Sequence, residues 1–145
     1  MSEFREFVTF RLNQEFYGIN IQNVENIEKV LPITRVPYTH NYIKGVVNLR
    51  GIIVPVVDLR ARFGLDPKPV SEETRIIIVN LDENKIGMLV DSSSEVLQIT
   101  DEDIDAAPNV KKEVNNEFIK NIGKKSGRII MLIDLYKVLN IEHIE

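Results

Sequence analysis

Cysteine is absent from the 145 residues, and disulfide frameworks, thiolate zinc sites, iron–sulfur clusters and cysteine nucleophiles go with it. Histidine is nearly absent. His40 and His143 are too few and too far apart along the chain to make a metal site without carboxylate help, so no metal is expected. Long apolar runs are missing as well: the longest, Ile52 to Val57, has six residues where a membrane-spanning helix needs roughly eighteen or more. The first residues, Met1-Ser2-Glu3-Phe4-Arg5-Glu6, are charged where a signal peptide carries an apolar core, so a cytoplasmic protein is expected. An excess of positive charge is also lacking. A net charge of −4 disfavours phosphate-backbone binding, which rests on Lys and Arg releasing counterions, and excludes nucleic acid as an expected partner. Alanine, the best helix former, occurs three times against 36 Ile and Val, which points to a mainly β chain the size of one compact domain or two very small ones.

What the sequence does have is an internal repeat. At an offset of 69 residues, Val8 to Ile21 lies over Ile77 to Val90, both reading strand, polar turn, strand. At an offset of 76, Gly51 to Leu59 lies over Gly127 to Leu135, with Phe63 over Leu139 and Leu65 over Ile141 further on. Each half supplies four or five short strands, enough for a small closed barrel whose closure removes free edges. Asp66-Pro67-Lys68-Pro69-Val70-Ser71-Glu72-Glu73 has the prolines and charges of a surface connection. The expected plan is therefore a first β-barrel half over 1–65, a connection over 66–73 and a second half over 74–145. The repeat leaves open whether the N-terminal strand pairs within its own half or crosses to the other.

Helix is expected only in short pieces. Asp58 and Asp134 follow the repeated strands and can each cap a turn with an apolar face, Leu59 with Phe63 and Leu135 with Val138 and Leu139. Val24, Ile27 and Leu31 recur at helical spacing and predict a short helix over 23–31, and Thr100 is placed to cap an acidic turn at Asp103.

Little here can carry a reaction. Asp101-Glu102-Asp103-Ile104-Asp105 lacks the spacing that wraps a chain around calcium and reads as a solvated turn. Asp58 and Asp134 are repeat-equivalent, which suits a repeated cap better than a catalytic pair. Neither a glycine-rich phosphate loop nor a nucleophile elbow occurs, and Ser92-Ser93-Ser94 has no nearby histidine, so no enzyme is expected. Lys111, Lys112, Lys120, Lys124, Lys125 and Arg128 make the last third locally basic without interleaved aromatics, the pattern of a solvated face.

The segment around Arg50-Gly51 differs. Apolar runs flank it on both sides, a hairpin signal in which glycine supplies the positive φ and the arginine points to solvent. The matching turn, Ser126-Gly127, keeps the glycine and has serine in place of Arg50, so on this reading the turn demands only the glycine.

These residues resemble the CheW-like domain of bacterial chemotaxis adaptors. The resemblance runs through Phe16-Tyr17-Gly18-Ile19-Asn20-Ile21, Ile33-Thr34-Arg35-Val36-Pro37, Tyr42 to Gly51 with its Asn48-Leu49-Arg50-Gly51 motif, and Val54 to Arg60. In the second half Ile86 to Asp91, Glu95-Val96-Leu97 and Ala107-Pro108 also fit, while Ser92-Ser93-Ser94 departs from the glycine and apolar residues frequent there. A single domain of this length is similar to the free-standing adaptor rather than to the kinase that contains a copy. The resemblance implies two SH3-like five-stranded barrels, no catalysis and no cofactor. It further implies a cytoplasmic adaptor recruited to receptor arrays at the inner membrane, and the missing ligand clusters and lack of a long amphipathic helix predict a monomer when free. There it would couple the cytoplasmic tips of transmembrane chemoreceptors to the regulatory domain of the histidine kinase CheA in two-component signalling, without inserting into the membrane. An adaptor of a non-chemotactic, surface-motility system would share the same pattern. By the family's pattern, Val24, Ile27, Gly45, Asn48, Leu49, Arg50 and Gly51 fall at or near the receptor-binding surface, with Val90, Asp91, Val96 and Leu97 contributing from the other half. A cleft between the barrels is the expected seat for a receptor helix.

Overall fold

The computed structural model describes residues 3–37, 40–106 and 118–139. Ala107-Pro108, Lys111, Lys112 and His143 lie outside the described residues. The chain is mainly β, with strands β1 (Phe4–Leu12), β2 (Glu15–Asn20), β3 (Val24–Lys29), β4 (Ile43–Leu49), β5 (Ile52–Asp58), β6 (Arg75–Leu81), β7 (Asn84–Val90), β8 (Ser92–Thr100), β9 (Ile104–Ala106), β10 (Ile119–Lys125) and β11 (Arg128–Ile133). Two short helices, α1 (Leu59–Arg62) and α2 (Leu135–Leu139), follow the repeated strands. As the sequence predicts, Asp58 caps α1 by accepting from the backbone N–H of Arg60 and Ala61, and Asp134 caps α2 by accepting from those of Tyr136 and Lys137.

The strands form two sheets, β8-β1-β2-β11-β10-β9 and β3-β6-β7-β5-β4. Strand exchange is the rule in both. The β1–β2 hairpin of the first repeat completes the sheet built from the second, and the β6–β7 hairpin of the second completes the sheet built from the first. Hydrogen-bonded ladders therefore cross the 66–73 connection in both directions, and that segment separates the repeats along the chain without separating the sheets. The registers repeat too. Ile27 pairs with Ile77 as Val96 pairs with Val8, and in the parallel contacts Val56 meets Gly87 as Leu132 meets Gly18.

Each sheet curls on itself. Past the end of β3, Thr34 bridges Val46 on β4, so the two edges of the five-stranded sheet meet. In the other, β8 runs through a 3-10 turn (Asp101–Asp103) into β9, which pairs with β10 at the far edge. The sixth strand beyond the five expected is this continuation, which shrinks to a single bridge in its counterpart. Closure pairs the backbone groups that an open edge would leave exposed.

One departure from expectation lies in β3, where the stripe Val24, Ile27, Leu31 predicted a helix. The only helical turn there is a 3-10 turn (Ile21–Asn23), capped by Asn20 accepting from the Gln22 N–H at 2.8 Å. From Val24 burial alternates with period two. The six residues from Val24 fit both periods, and pairing with the isoleucine-rich β6 decides the matter, since a ladder partner outweighs weak local propensity.

Three apolar clusters follow. Val47, Leu49, Val54, Val56, Ile76, Ile78 and Leu89 fill the five-stranded barrel, and Phe7, Ile99, Ile130 and Leu132 fill the six-stranded one. The largest lies between them and joins both sheets to both helices, with Phe10, Leu12, Ile77, Met88, Leu59 and Leu139 among its buried members. Because the outer faces of both barrels form this cluster, the two pack as one body. Tyr17 sits within it, stacked on Phe10 and edge-on to Phe63 at centroid distances of 5.6 and 5.4 Å. Burial, with Glu15 nearby, pushes its phenol up to about 12. A phenol whose ionisation is suppressed by folding stabilises the protein below its unfolded value near 10, and that contribution is lost as pH rises toward 12. Chemical denaturation midpoints are accordingly expected to fall between pH 10 and 12, less steeply for Tyr17→Phe.

Candidate partner-binding surface

The β4–β5 hairpin presents the Asn48-Leu49-Arg50-Gly51 motif at the rim of the five-stranded barrel. Arg50 has φ 52° and Gly51 φ 89°, so both central residues are left-handed, the type I′ geometry that matches strand twist. This corrects the expectation that only the glycine is constrained: Ser126 in the equivalent turn is left-handed as well, at φ 53°. Arginine is a poor choice for such a position, where asparagine or glycine costs less. Asn48 supports the turn by accepting the Gly51 N–H on Oδ1 at 2.8 Å.

Around the turn lie exposed apolar side chains. Ile52 and Ile53 on β5 and Ile27 on β3 are all open to solvent, Ile53 at 61% and Ile27 at 41%. The hairpin reaches β3 through its charge: Arg50 Nη2 stands 3.6 Å from Glu28 Oε2, and Asn26 Nδ2 donates to the same carboxylate oxygen. Beside them Glu25 pairs with Lys85 and accepts from Asn80 Nδ2 at 2.8 Å. Lys85 chiefly, then Asn80, holds the Glu25 carboxyl below its usual range, with Arg50 adding a smaller pull. The hairpin rim thus carries two exposed isoleucines, Ile52 and Ile53, beside one exposed guanidinium, and Ile27 is exposed on β3, the strand that the guanidinium reaches. Such a surface suits an amphipathic protein element carrying an acidic group.

Comparison with known proteins places the chain in a family. The CheW-like domain family profile matches residues 6–143. The chain is similar to the chemotaxis protein CheW of Klebsiella aerogenes, at 38% identity over 95% of this chain and 83% of that one, and to that of Bacillus subtilis, at 36% over 94% and 88%. The solved structure of the scaffolding protein TtCheW from Thermoanaerobacter tengcongensis superposes with a TM-score of 0.86 at 36% identity, covering 92% of this chain and 91% of that one. The chain belongs to the CheW-like domain family.

Within this CheW-like domain most of the residues singled out from the first half, with Val90, separate into an exposed group and a buried or partly buried one. Asn48, Arg50 and Gly51 are exposed on the β4–β5 hairpin, and Ile27 is exposed on β3. Leu49 and Val90 are core residues, at 3% and 1% exposure, and Val24 packs partly buried against the inter-barrel cluster. Gly45 is buried, with φ 150°, and a Cβ there would stand 2.2 Å from the Thr34 carbonyl oxygen, so the glycine permits the bridge that closes the barrel. Of these, Gly45 and Leu49 lie on β4 and can act on a partner only by shaping the hairpin.

Asp91 belongs to neither group. It lies where the chain crosses from β7 in one barrel to β8 in the other, and accepts from Arg60 Nη1 and the Asn13 N–H, each at 2.7 Å. Arg60 also donates to Asn13 Oδ1 and the Asp66 carbonyl at 2.8 Å, and the Asp91 and Arg60 side chains are nearly buried. This network ties the β1–β2 turn, α1 and the barrel junction together.

Val96 and Leu97 sit on β8 of the six-stranded barrel, where Val96 is exposed and Leu97 packs against that barrel's core. The register makes Val96 the counterpart of Ile27 and exposed Ile129 the counterpart of Ile53. Each barrel therefore displays a similar apolar pair. Sequence reasoning missed Ile52, Ile53 and Ile129, having taken the run Ile52 to Val57 as strand without asking which side faces out. The signal was present, since Ile52 lies over Arg128 in the repeat, and a position that takes either residue faces solvent. A cleft lined by Phe7, Asn20, Asn23, Leu81, Lys120 and Tyr136 among others holds none of the candidate residues, whereas one lined by Lys44, Asp58, Arg60, Leu89, Val90 and Asp91 among others holds two. Of the basic stretch, Lys124 pairs with Asp105 and Arg128 with Glu95, the pairing of an ordinary solvated face. Among the described residues no group of three or more acidic or histidine side chains is placed to hold a metal, and no helix is long and apolar enough to cross a membrane.

Proposed function

We propose that this CheW-like domain is a non-enzymatic adaptor that couples transmembrane chemoreceptors to the histidine kinase CheA, working at the cytoplasmic face of a receptor array. The observation that carries the reading is the family match across residues 6–143, joined by relatives named chemotaxis protein CheW that align over nearly the whole chain. The surface supports it: a rim with isoleucines and one guanidinium offers a receptor hairpin both apolar contact and a charged anchor. Two repeat-equivalent faces support it further, since an adaptor must hold two partners at once. The Arg50 face takes the receptor tip, and the repeat-equivalent face with Val96 and Ile129 takes the regulatory domain of CheA, in place of the receptor contact that the family's pattern implies for Val96. Heterologous contacts of this kind extend into rings or filaments.

Ile27→Asp is expected to weaken co-sedimentation with receptor-bearing membranes by tenfold or so while moving the melting temperature by only a few degrees, because the side chain is already half in water. Ile129→Asp is expected to do the same to binding of the CheA regulatory domain and to leave receptor co-sedimentation intact. If both variants bind both partners normally, the assignment of the faces is wrong. A mixture with CheA that never scatters beyond one adaptor per kinase subunit would exclude extended assembly.

A further inference from the structure

The ion pair between Arg50 and Glu28 exists only in one of the two barrels. Under the repeat, Arg50 corresponds to Ser126, and the register that matches Glu28 with Ile76 matches Leu97 with Phe7, so leucine stands in Glu28's place. The second barrel folds the same hairpin and the same edge with neither charge, so the fold does not require the pair. Arg50 moreover holds a backbone conformation that arginine disfavours.

Glu28 is built to hold it. Its side chain is 20% exposed against 68% for Arg50, so the carboxylate is anchored and the guanidinium is the open member. Asn26 donates to the same oxygen through Nδ2, while its own Oδ1 is buried without a partner. Glu25, two positions from Ile27 on the same strand, is already engaged by Lys85.

Resting on the adaptor reading above, we propose that Glu28 is an intramolecular competitor for Arg50, holding the guanidinium against β3 in the free protein and giving it up when an acidic group of a docking receptor helix arrives. Binding then exchanges one ion pair for another. Such an exchange restrains affinity and flattens its salt dependence, because charges are paired on both sides of the equilibrium. Glu28 thereby sets how acidic a partner must be to engage this rim: a helix without a carboxylate at that place meets an arginine already taken.

The test is Glu28→Gln, which keeps a group to accept from Asn26 and removes the charge that holds Arg50. Glu25→Gln removes a charge from the same strand that is paired with Lys85 and that Arg50 feels only weakly, and serves as the control. With receptor-bearing membrane vesicles, Glu28→Gln is expected to bind about threefold to fivefold tighter than the parent at low salt, and the gain should vanish near 0.5 M salt. Glu25→Gln should show little gain, and Glu28→Gln should have no effect in an Arg50→Ala background. Equal gains for the two glutamine variants, or a gain that survives Arg50→Ala, would overturn the proposal. A second reading needs no receptor: in the free protein, melting of the single and double variants should reveal coupling between Glu28 and Arg50. Zero coupling there refutes the latch. A parent protein that fails to bind vesicles while that coupling is present refutes instead the adaptor reading.

Discussion

Asp91→Ala is expected to cost about 3–5 kcal/mol of folding stability, the loss seen when one partner of a buried ion pair is removed and the other is left uncompensated. Arg60 would keep only the Asp66 carbonyl and Asn13 Oδ1, both neutral acceptors, and the Asn13 N–H would lose its acceptor. For a chain of this length the melting temperature should drop by roughly 10 °C. Lys68, at 3.8 Å and half exposed, cannot substitute, since it carries the same sign as Arg60. The double replacement Asp91→Leu with Arg60→Met should recover most of the loss, because an apolar pair of similar volume avoids the desolvation penalty. A melting shift of only a degree or two in Asp91→Ala would mean that the network contributes little and would return Asp91 to the partner surface. Otherwise any loss of receptor coupling in Asp91 variants reflects a loosened barrel junction.

The second large effect concerns binding. Arg50→Glu should leave the fold almost untouched, at a cost below about 1 kcal/mol, since the side chain is exposed and the turn already accommodates a residue that is not glycine. The new carboxylate would face Glu28 rather than pair with it, and the turn tip should swing outward. Receptor affinity is where the substitution acts: reversing a charge that contacts a desolvated carboxylate should cost about 2–5 kcal/mol, well over tenfold. Binding of the isolated CheA regulatory domain should persist, because the face proposed for it lies on the other barrel. If the loss is instead a few tenths of a kcal/mol and disappears in high salt, Arg50 is a rim charge without a specific partner.

How much of this the sequence disclosed depends on whether local chemistry decided the outcome. The caps at Asp58 and Asp134 and the turn at Arg50-Gly51 were legible because a side chain fixes its own neighbourhood there. The exchange of hairpins was not, because β1 and β6 are copies of one strand and either pairing satisfies the same alternation. β3 was misread for a related reason: Val24 and Ile27 fit a helical stripe and a strand equally, and only the partner strand chooses. Of the residues expected at the partner surface, Arg50, Asn48 and Ile27 are exposed, whereas Leu49, Val90 and Gly45 are interior. Motif position along a chain does not tell inward from outward. The repeat does, since Ile52 over Arg128 and Arg50 over Ser126 mark positions that tolerate exchange of character.

The central claim is the coupling of receptor to kinase, and the measurement that reaches it most directly is the phosphorylation rate of CheA reconstituted with receptor-bearing membranes, with and without this protein. The adaptor reading predicts that adding the protein brings CheA into the membrane pellet and places its rate under receptor control, and that Arg50→Glu, equally folded, does neither. A CheA rate and distribution that do not change on adding the protein, with receptors and kinase both competent, would contradict it.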